Sequence, residues 1–132
     1  MTPTLRPARA SELEALSHLC MRSKAHWGYD AGFMAQCKDE LTLTPTEFEN
    51  SLICVAERDG SLAGVAQLLC QGTEGEISKL FVDPVSIGQG VGRALMEWIL
   101  TRARAEGARR LTVEADPNAE EFYANFGAKT VR

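Results

Sequence analysis

The stretch Phe81–Leu100, FVDPVSIGQGVGRALMEWIL, sets Gly88, Gly90 and Gly92 at alternate positions directly before an amphipathic helix. A helix N-terminus presents unpaired N–H groups and a partial positive charge. Glycines keep side chains off that backbone, so phosphate can approach it closely. The spacing then sorts the phosphate loops. A Walker A loop requires GxxxxGK[ST], and neither Lys-Ser nor Lys-Thr follows here. The dinucleotide fingerprint GxGxxG also fails, because Arg93 stands where the third small residue belongs. Glu114 and Asp116 lie about twenty residues on, where that fingerprint has its acidic partner, but the elements around them are wrong for that fold. A plainer reading, a glycine turn that merely starts a helix tightly, stays open.

The elements that must position this turn are legible from pattern. TLRPA reads as a first strand, and Ser11 with Glu14 reads as a capping box opening a helix that carries Leu13, Leu16, Leu19 and Cys20 on one face. KAHWGYDAG, residues 24–32, breaks that pattern with two glycines and three rings; a second helix is expected from Phe33 to Leu41. Two β-like runs flank Asp59-Gly60, a strong hairpin signal, and GEISKLFVDP is a further strand closed by Pro84. The helix after the glycine turn should run from about Gly90 to Glu106, with Val91, Ala94, Leu95, Trp98, Ile99 and Ala103 as its apolar stripe. Arg93 and Glu97 should pair on the other face, and Gly107 suits the stop. RRLTVEA is a strand, and PNAEEFYANFG a short helix ended by Gly127. The order is an antiparallel meander feeding one right-handed β-α-β crossover with parallel strands. The fold class is therefore mixed α+β, with a mostly antiparallel central sheet flanked by helices. The glycine turn falls at the C-terminal end of the first crossover strand, where open α/β sheets bind ligands.

Composition bounds the function classes. A chain of 132 residues is read as one domain, 1–132, with the 45% hydrophobic and 24% charged content of ordinary globular proteins. The net charge of −4 argues against a nucleic-acid partner, and no apolar run approaches a membrane span, so neither nucleic acid nor membrane is expected. The N-terminus turns acidic and helical where a signal peptide would be apolar, and a cytoplasmic location is expected. Cys20, Cys37, Cys54 and Cys70 lie far apart with no CxxC, which reads as free thiols rather than a metal site or disulfide scaffold. No metal is expected, and His18 and His26 give no ligand pattern.

VDPVSIGQGVGRALMEWI resembles the pyrophosphate-binding segment of the GNAT superfamily of N-acetyltransferases, [RQ]-x-x-G-x-[GA] after a strand ending in V-x-P, with the motif's glycines on Gly90 and Gly92. ADPNAEEFYANFGA resembles the family's later segment N-A-x-x-F-Y-x-x-x-G-F, and TLRPARASELEAL resembles a GNAT start, so the likeness covers nearly the whole chain. Three departures stand out. Ile87 occupies the place of the usual Arg or Gln, leaving only its backbone N–H to contribute, and Ala128 replaces the usual Phe. Family members also continue past this point into a further strand, so the C-terminal strand is expected to be incomplete or its edge covered by a partner subunit.

The resemblance implies acetyl transfer from acetyl-CoA to the primary amine of an acceptor, by direct attack in a ternary complex. It places the pyrophosphate on Gly88, Gln89, Gly90, Val91, Gly92 and Arg93, the pantetheine arm on the backbone of Leu80, Phe81 and Val82, and a CoA contact on Asn118. Tyr123 matches the tyrosine that protonates the leaving sulfur, and Glu114 the carboxylate used as base, with Glu76 and Asp116 as fallbacks through water. His26, Trp27 and Tyr29 fall in the acceptor-lining loop. Homodimers are common among such proteins, and the residues leave the oligomeric state of this chain open. The residues alone leave blander roles open: Tyr123 packed on the sheet, Asn118 as a plain cap, Glu114 solvated, and the rings pinning a loop. A different class also remains, a degenerate GNAT fold that binds acyl-CoA or a partner without turnover.

Overall fold

The computed structural model describes residues 2–130, and its elements follow from short stretches of the chain. In chain order they are β1 (Thr4–Pro7), α1 (Leu13–Ala25), α2 (Ala31–Leu41), α3 (Pro45–Asn50), β2 (Leu52–Arg58), β3 (Ser61–Gln71), β4 (Glu74–Val82), α4 (Val91–Ala105), β5 (Arg110–Val113) and α5 (Glu120–Ala124). The five strands form one sheet in the order β1-β2-β3-β4-β5, antiparallel except for the parallel β4–β5 pair. The expected mixed α+β fold and the single parallel crossover pair are therefore present. The β2–β3 hairpin turns at Asp59-Gly60, both with positive φ, the backbone that a two-residue turn between twisted strands needs.

Period-2 alternation splits the sheet into two faces. Ile53, Val55 and Val65 pack with Leu13, Leu16, Leu19, Cys20, Met34 and Leu41 of α1 and α2. Cys54, Ala56, Ala66 and Leu68 face the other way, onto Leu95, Met96 and Ile99 of α4 and Tyr123 of α5. α4 lies unusually close to β3, because a Cβ at Gly64 would come within 2.8 Å of Val91 and 2.9 Å of Leu95. That close approach sets the N-terminus of α4 against the outgoing end of β4.

Four expectations need correction. Ser11 does not open the first helix: a 3-10 turn at Ala10–Glu12 precedes α1, and Glu12 Oε1 accepts from the Arg9 N–H at 2.9 Å. Glu12 outcompetes Glu14 for this task because Arg6 already holds its carboxylate, at 2.6 and 2.9 Å, while also bonding Glu57. The second helix begins two residues earlier than Phe33, since Asp30 caps it by accepting from the Phe33 N–H at 2.8 Å. The expected elements also omit α3, whose six residues are too few to show a period. Its signal is Thr44-Pro45-Thr46-Glu47, a cap residue followed by a first-turn proline, and Thr44 Oγ1 accepts from the Glu47 N–H at 3.1 Å. Met96 joins the buried stripe of α4, which widens the face beyond the residues expected.

α3 matters to the interior. It brings Glu47 to the cross-strand pair Gln67 and Lys79, on β3 and β4. Lys79, 6% exposed, donates to Glu47 Oε2 at 3.1 Å and Gln67 Oε1 at 3.0 Å, while Gln67 donates to Glu47 and to Ser51 Oγ. The network is closed, and no buried side-chain polar atom among the described residues lacks a partner. Lys79→Ala should therefore cost about 3 kcal/mol in a urea titration, the lower end for breaking a buried pair, because Glu47 is one-third exposed and can rehydrate. A loss under about 1 kcal/mol would mean that the network contributes no more than a surface pair.

Candidate active site

The site begins where two parallel strands part. β4 pairs with β5 only from Glu74↔Arg110 to Ile77↔Val113. The β3–β4 register jumps from Gln67↔Lys79 to Leu68↔Ile77, so Ser78 is the extra residue of a bulge. A bulge bends its strand and strengthens the twist. Beyond it, Lys79–Val82 stay paired with β3 on one side and have no strand on the other. The chain after Val113 turns away through a 3-10 turn at Pro117–Ala119. The resulting cleft encloses a cavity of about 510 Å³, the size of a small-molecule site.

Its walls come from three directions. β4 supplies Ile77 to Val82 as the floor; α1, the following loop and α2 supply Ser23, Lys24, His26, Trp27, Glu40 and Leu41; Glu114 to Asp116 with Asn118, Phe122 and Tyr123 form the facing wall. At one end lies the glycine turn, with Ile87, Gly88, Gly90, Val91, Gly92 and Arg93 on the lining. Gly88 and Gly90 have φ of +80° and +82°, and a Cβ on either would meet nothing within 4 Å. Their backbone is thus left-handed and open to the cleft, with Gly90 capping α4. Gly92 is small for a different reason, since a Cβ there would press on the Phe122 ring at 3.3 Å. Gln89 is exposed but not on the lining, and Ile87 is 48% exposed beside it. Arg93 reaches the lining while pairing with Glu97 at 3.3 Å, the i,i+4 pair expected.

Tyr123 is 7% exposed, and burial pushes its phenol up to about 12. Among the described residues no group bonds its hydroxyl and no buried polar atom is unpartnered; the hydroxyl is therefore the part left open to the cleft. Such a phenol keeps its proton throughout the neutral range. Glu114 is exposed on the same wall, opposite in the strand's alternation to the half-buried Leu111, Val113 and Ala115. Glu76 is exposed on β4 and does not line the cavity.

Asp116 joins the two walls. It accepts from Lys24 Nζ at 2.7 Å, from the Tyr29 hydroxyl at 2.9 and 3.0 Å, and from the backbone and side-chain nitrogens of Asn118, each at 2.9 Å. Asn118 Nδ2 also donates to the Tyr29 oxygen at 3.1 Å. Asn118 is thus a lining residue held within this clasp, and the cap of its turn is Asp116. Tyr29 is not on the lining; it is stacked on Phe33 with its hydroxyl engaged in the clasp. Trp27 is half exposed on the lining, with the His26 ring at its edge. Burial works to raise the Asp116 carboxyl, but its donors outweigh that and hold it near about 2, so it is a poor acceptor of a substrate proton. Sequence reasoning missed Lys24 and Glu40 on the lining. Lys24 lies inside a stretch that stands out for its rings, and Glu40 gives no signal beyond a polar helix position.

Glu12 and Asp116 both carry carboxyls held near about 2, below ordinary values of 4.5 and 3.8. A carboxyl depressed in the folded state stabilises fully above its unfolded pKa, and loses that contribution as pH falls through the folded one. Urea midpoints should therefore hold from neutral pH to about 5 and fall as pH drops towards 2, and Asp116→Asn should flatten part of the fall. An identical acid slope in the variant would show that the clasp carries no net stabilisation.

Among the described residues no group of three or more His, Cys, Asp or Glu is placed to hold a metal ion, and no helix is long and apolar enough to cross a membrane.

A family model described as an acetyltransferase (GNAT) domain matches residues 15–132. An IAA acetyltransferase of Azospirillum brasilense is 37% identical over 62 residues, which are 46% of this chain and 40% of that protein, so the match spans well under two-thirds of the relative's length. Among solved structures, a GCN5-related N-acetyltransferase of Rhodopseudomonas palustris superposes with a TM-score of 0.79 at 26% identity, covering 98% of this chain and 84% of its own. PaiA N-acetyltransferase of Thermoplasma acidophilum, solved in complex with coenzyme A, shares the fold with a TM-score of 0.78 at 17% identity, covering 99% and 92%.

Proposed function

The chain belongs to the acetyltransferase (GNAT) family, and from that premise we propose that it moves an acetyl group from acetyl-CoA to a primary amine by direct attack within a ternary complex. The observation that carries this reading is one cavity that joins a glycine-lined helix N-terminus, an unpaired strand edge and the Tyr123 hydroxyl. The coenzyme A complex of the Thermoplasma protein, which shares the fold, supports the choice of co-substrate.

The residues present fit acetyl-CoA. Its pyrophosphate would lie on the N–H groups of the turn from Gly88 to Gly92, where a Cβ on Gly88 or Gly90 would meet nothing within 4 Å, with Arg93 adding charge. Ile87 contributes no cation, so the cradle rests on backbone and that one guanidinium. The pantetheine amides would pair with the free edge of Leu80, Phe81 and Val82 as an added strand. When bound, acetyl-CoA supplies the thioester carbonyl that the amine attacks. The same strand edge offers N–H groups to the carbonyl oxygen as its charge grows. Glu114 takes the proton that the ammonium must lose; as the C–N bond forms and the C–S bond breaks, Tyr123 Oη gives a proton to the departing sulfur, and the second proton shed by the attacking nitrogen passes through water to restore the phenol. His26 and Trp27 line the acceptor end. Holding both reactants in one cleft supplies a further share of the rate.

The test is acceptor-dependent release of free thiol from acetyl-CoA by the purified protein across a panel of primary amines. Thiol release with at least one amine, with the acetylated product identified by mass spectrometry, is expected. Acetyl-CoA binding without thiol release for any amine would favour a binding module instead.

A further inference from the structure

Six charged side chains line the cavity: Lys24, Lys79, Arg93, Glu40, Glu114 and Asp116. Each cation among them is already paired, Lys24 with Asp116 at 2.7 Å, Lys79 with Glu47 at 3.1 Å, and Arg93 with Glu97 at 3.3 Å. Glu40 and Glu114 make no ion pair or hydrogen bond among the described residues. Both line the cavity, Glu40 from α2 and Glu114 from beyond the end of β5. A carboxylate brought in by an acceptor would find no free cation in the acceptor half, and would have to break a pair to gain one.

With Glu114 assigned to the reacting amine, one anion is left over. Trp27 lines the same cavity as Glu40 and presents a half-exposed ring with the His26 ring at its edge. A half-exposed indole and a free carboxylate lining one cavity each suit a cationic group, the one by attraction to the ring and the other by charge. We infer that Glu40 is a specificity determinant that reads a second positive charge on the acceptor. The preferred acceptor is then an amine carrying a distal ammonium or guanidinium group, rather than a monoamine or an amino acid. This rests on the transferase reading above.

Three amines of equal carbon count separate the cases: 1,4-diaminobutane, butylamine and 4-aminobutanoate, with acetyl-CoA and a free-thiol readout near neutral pH. The expected order of kcat/KM is diamine, then monoamine, then amino acid. Glu40 is exposed, so an ion pair with it is partly screened and the diamine advantage should be about fivefold. Glu40→Gln should bring the diamine-to-monoamine ratio close to one, and Glu40→Lys should move the amino acid ahead of the diamine. Either an unchanged ratio in Glu40→Gln or a wild-type preference for 4-aminobutanoate would overturn the inference. So would a failure of 1,4-diaminobutane both to release thiol and to bind, by calorimetry, to protein loaded with acetyl-CoA. Absence of acetyl-CoA binding in the same calorimeter would overturn the transferase reading instead.

Discussion

Gly90→Glu is expected to leave a folded protein whose affinity for acetyl-CoA is lower by roughly three orders of magnitude, or about 4 kcal/mol. The position is open, since a Cβ there would have no atom within 4 Å, so the new side chain enters the cleft rather than the core. Two effects then add. A non-glycine residue at φ +82° costs about 1–2 kcal/mol, part of which is relieved by reshaping the turn away from the ligand. The carboxylate itself satisfies the N-terminus of α4 and repels a phosphate a few ångströms away, an interaction of about 3–4 kcal/mol at an effective dielectric of 20. Gly90→Ala carries only the strain and should lose far less. Calorimetric titration separates the two, and equal affinity in Gly90→Glu and wild type would remove the turn from the binding site.

Tyr123→Phe is expected to lower kcat by about 10²- to 10⁴-fold, the usual range for a positioned general acid, while leaving acetyl-CoA affinity near the wild-type value. The ring supplies the packing, against Phe122 and the α4 face of the sheet, and phenylalanine keeps it. The hydroxyl has no partner to lose among the described residues, so stability should change little. Burial that holds the phenol near about 12 keeps the proton available at neutral pH. Wild-type turnover in Tyr123→Phe would leave the residue a packing tyrosine and assign sulfur protonation to water or another group.

Much of this is legible in the chain because its strongest local signals coincide with the site. Gly88, Gly90 and Gly92 announce the turn, Asp59-Gly60 announces the hairpin, and alternating apolar residues announce the two sheet faces. Sequence spacing could not reveal that β4 and β5 part after Ile77, since that depends on a bulge at Ser78 set by pairing with β3. The clasp is equally hidden: Lys24 and Tyr29 meet Asp116 across about ninety residues of chain, and only the fold brings them together. α3 is too short for periodicity to detect, and with it goes the Glu47 partner that allows Lys79 to lie buried in the floor of the cleft. Local rules read elements well here, and contacts between distant polar residues poorly, because a long-range ion pair leaves no periodic trace.

The most direct test of the central claim is calorimetric titration of the purified protein with acetyl-CoA, with NADH as comparator. The glycine-lined helix N-terminus and the free edge of β4 predict micromolar-range binding of acetyl-CoA and no comparable heat with NADH. No binding of acetyl-CoA, or binding of NADH at equal affinity, would contradict the assignment of this cleft to acyl-CoA.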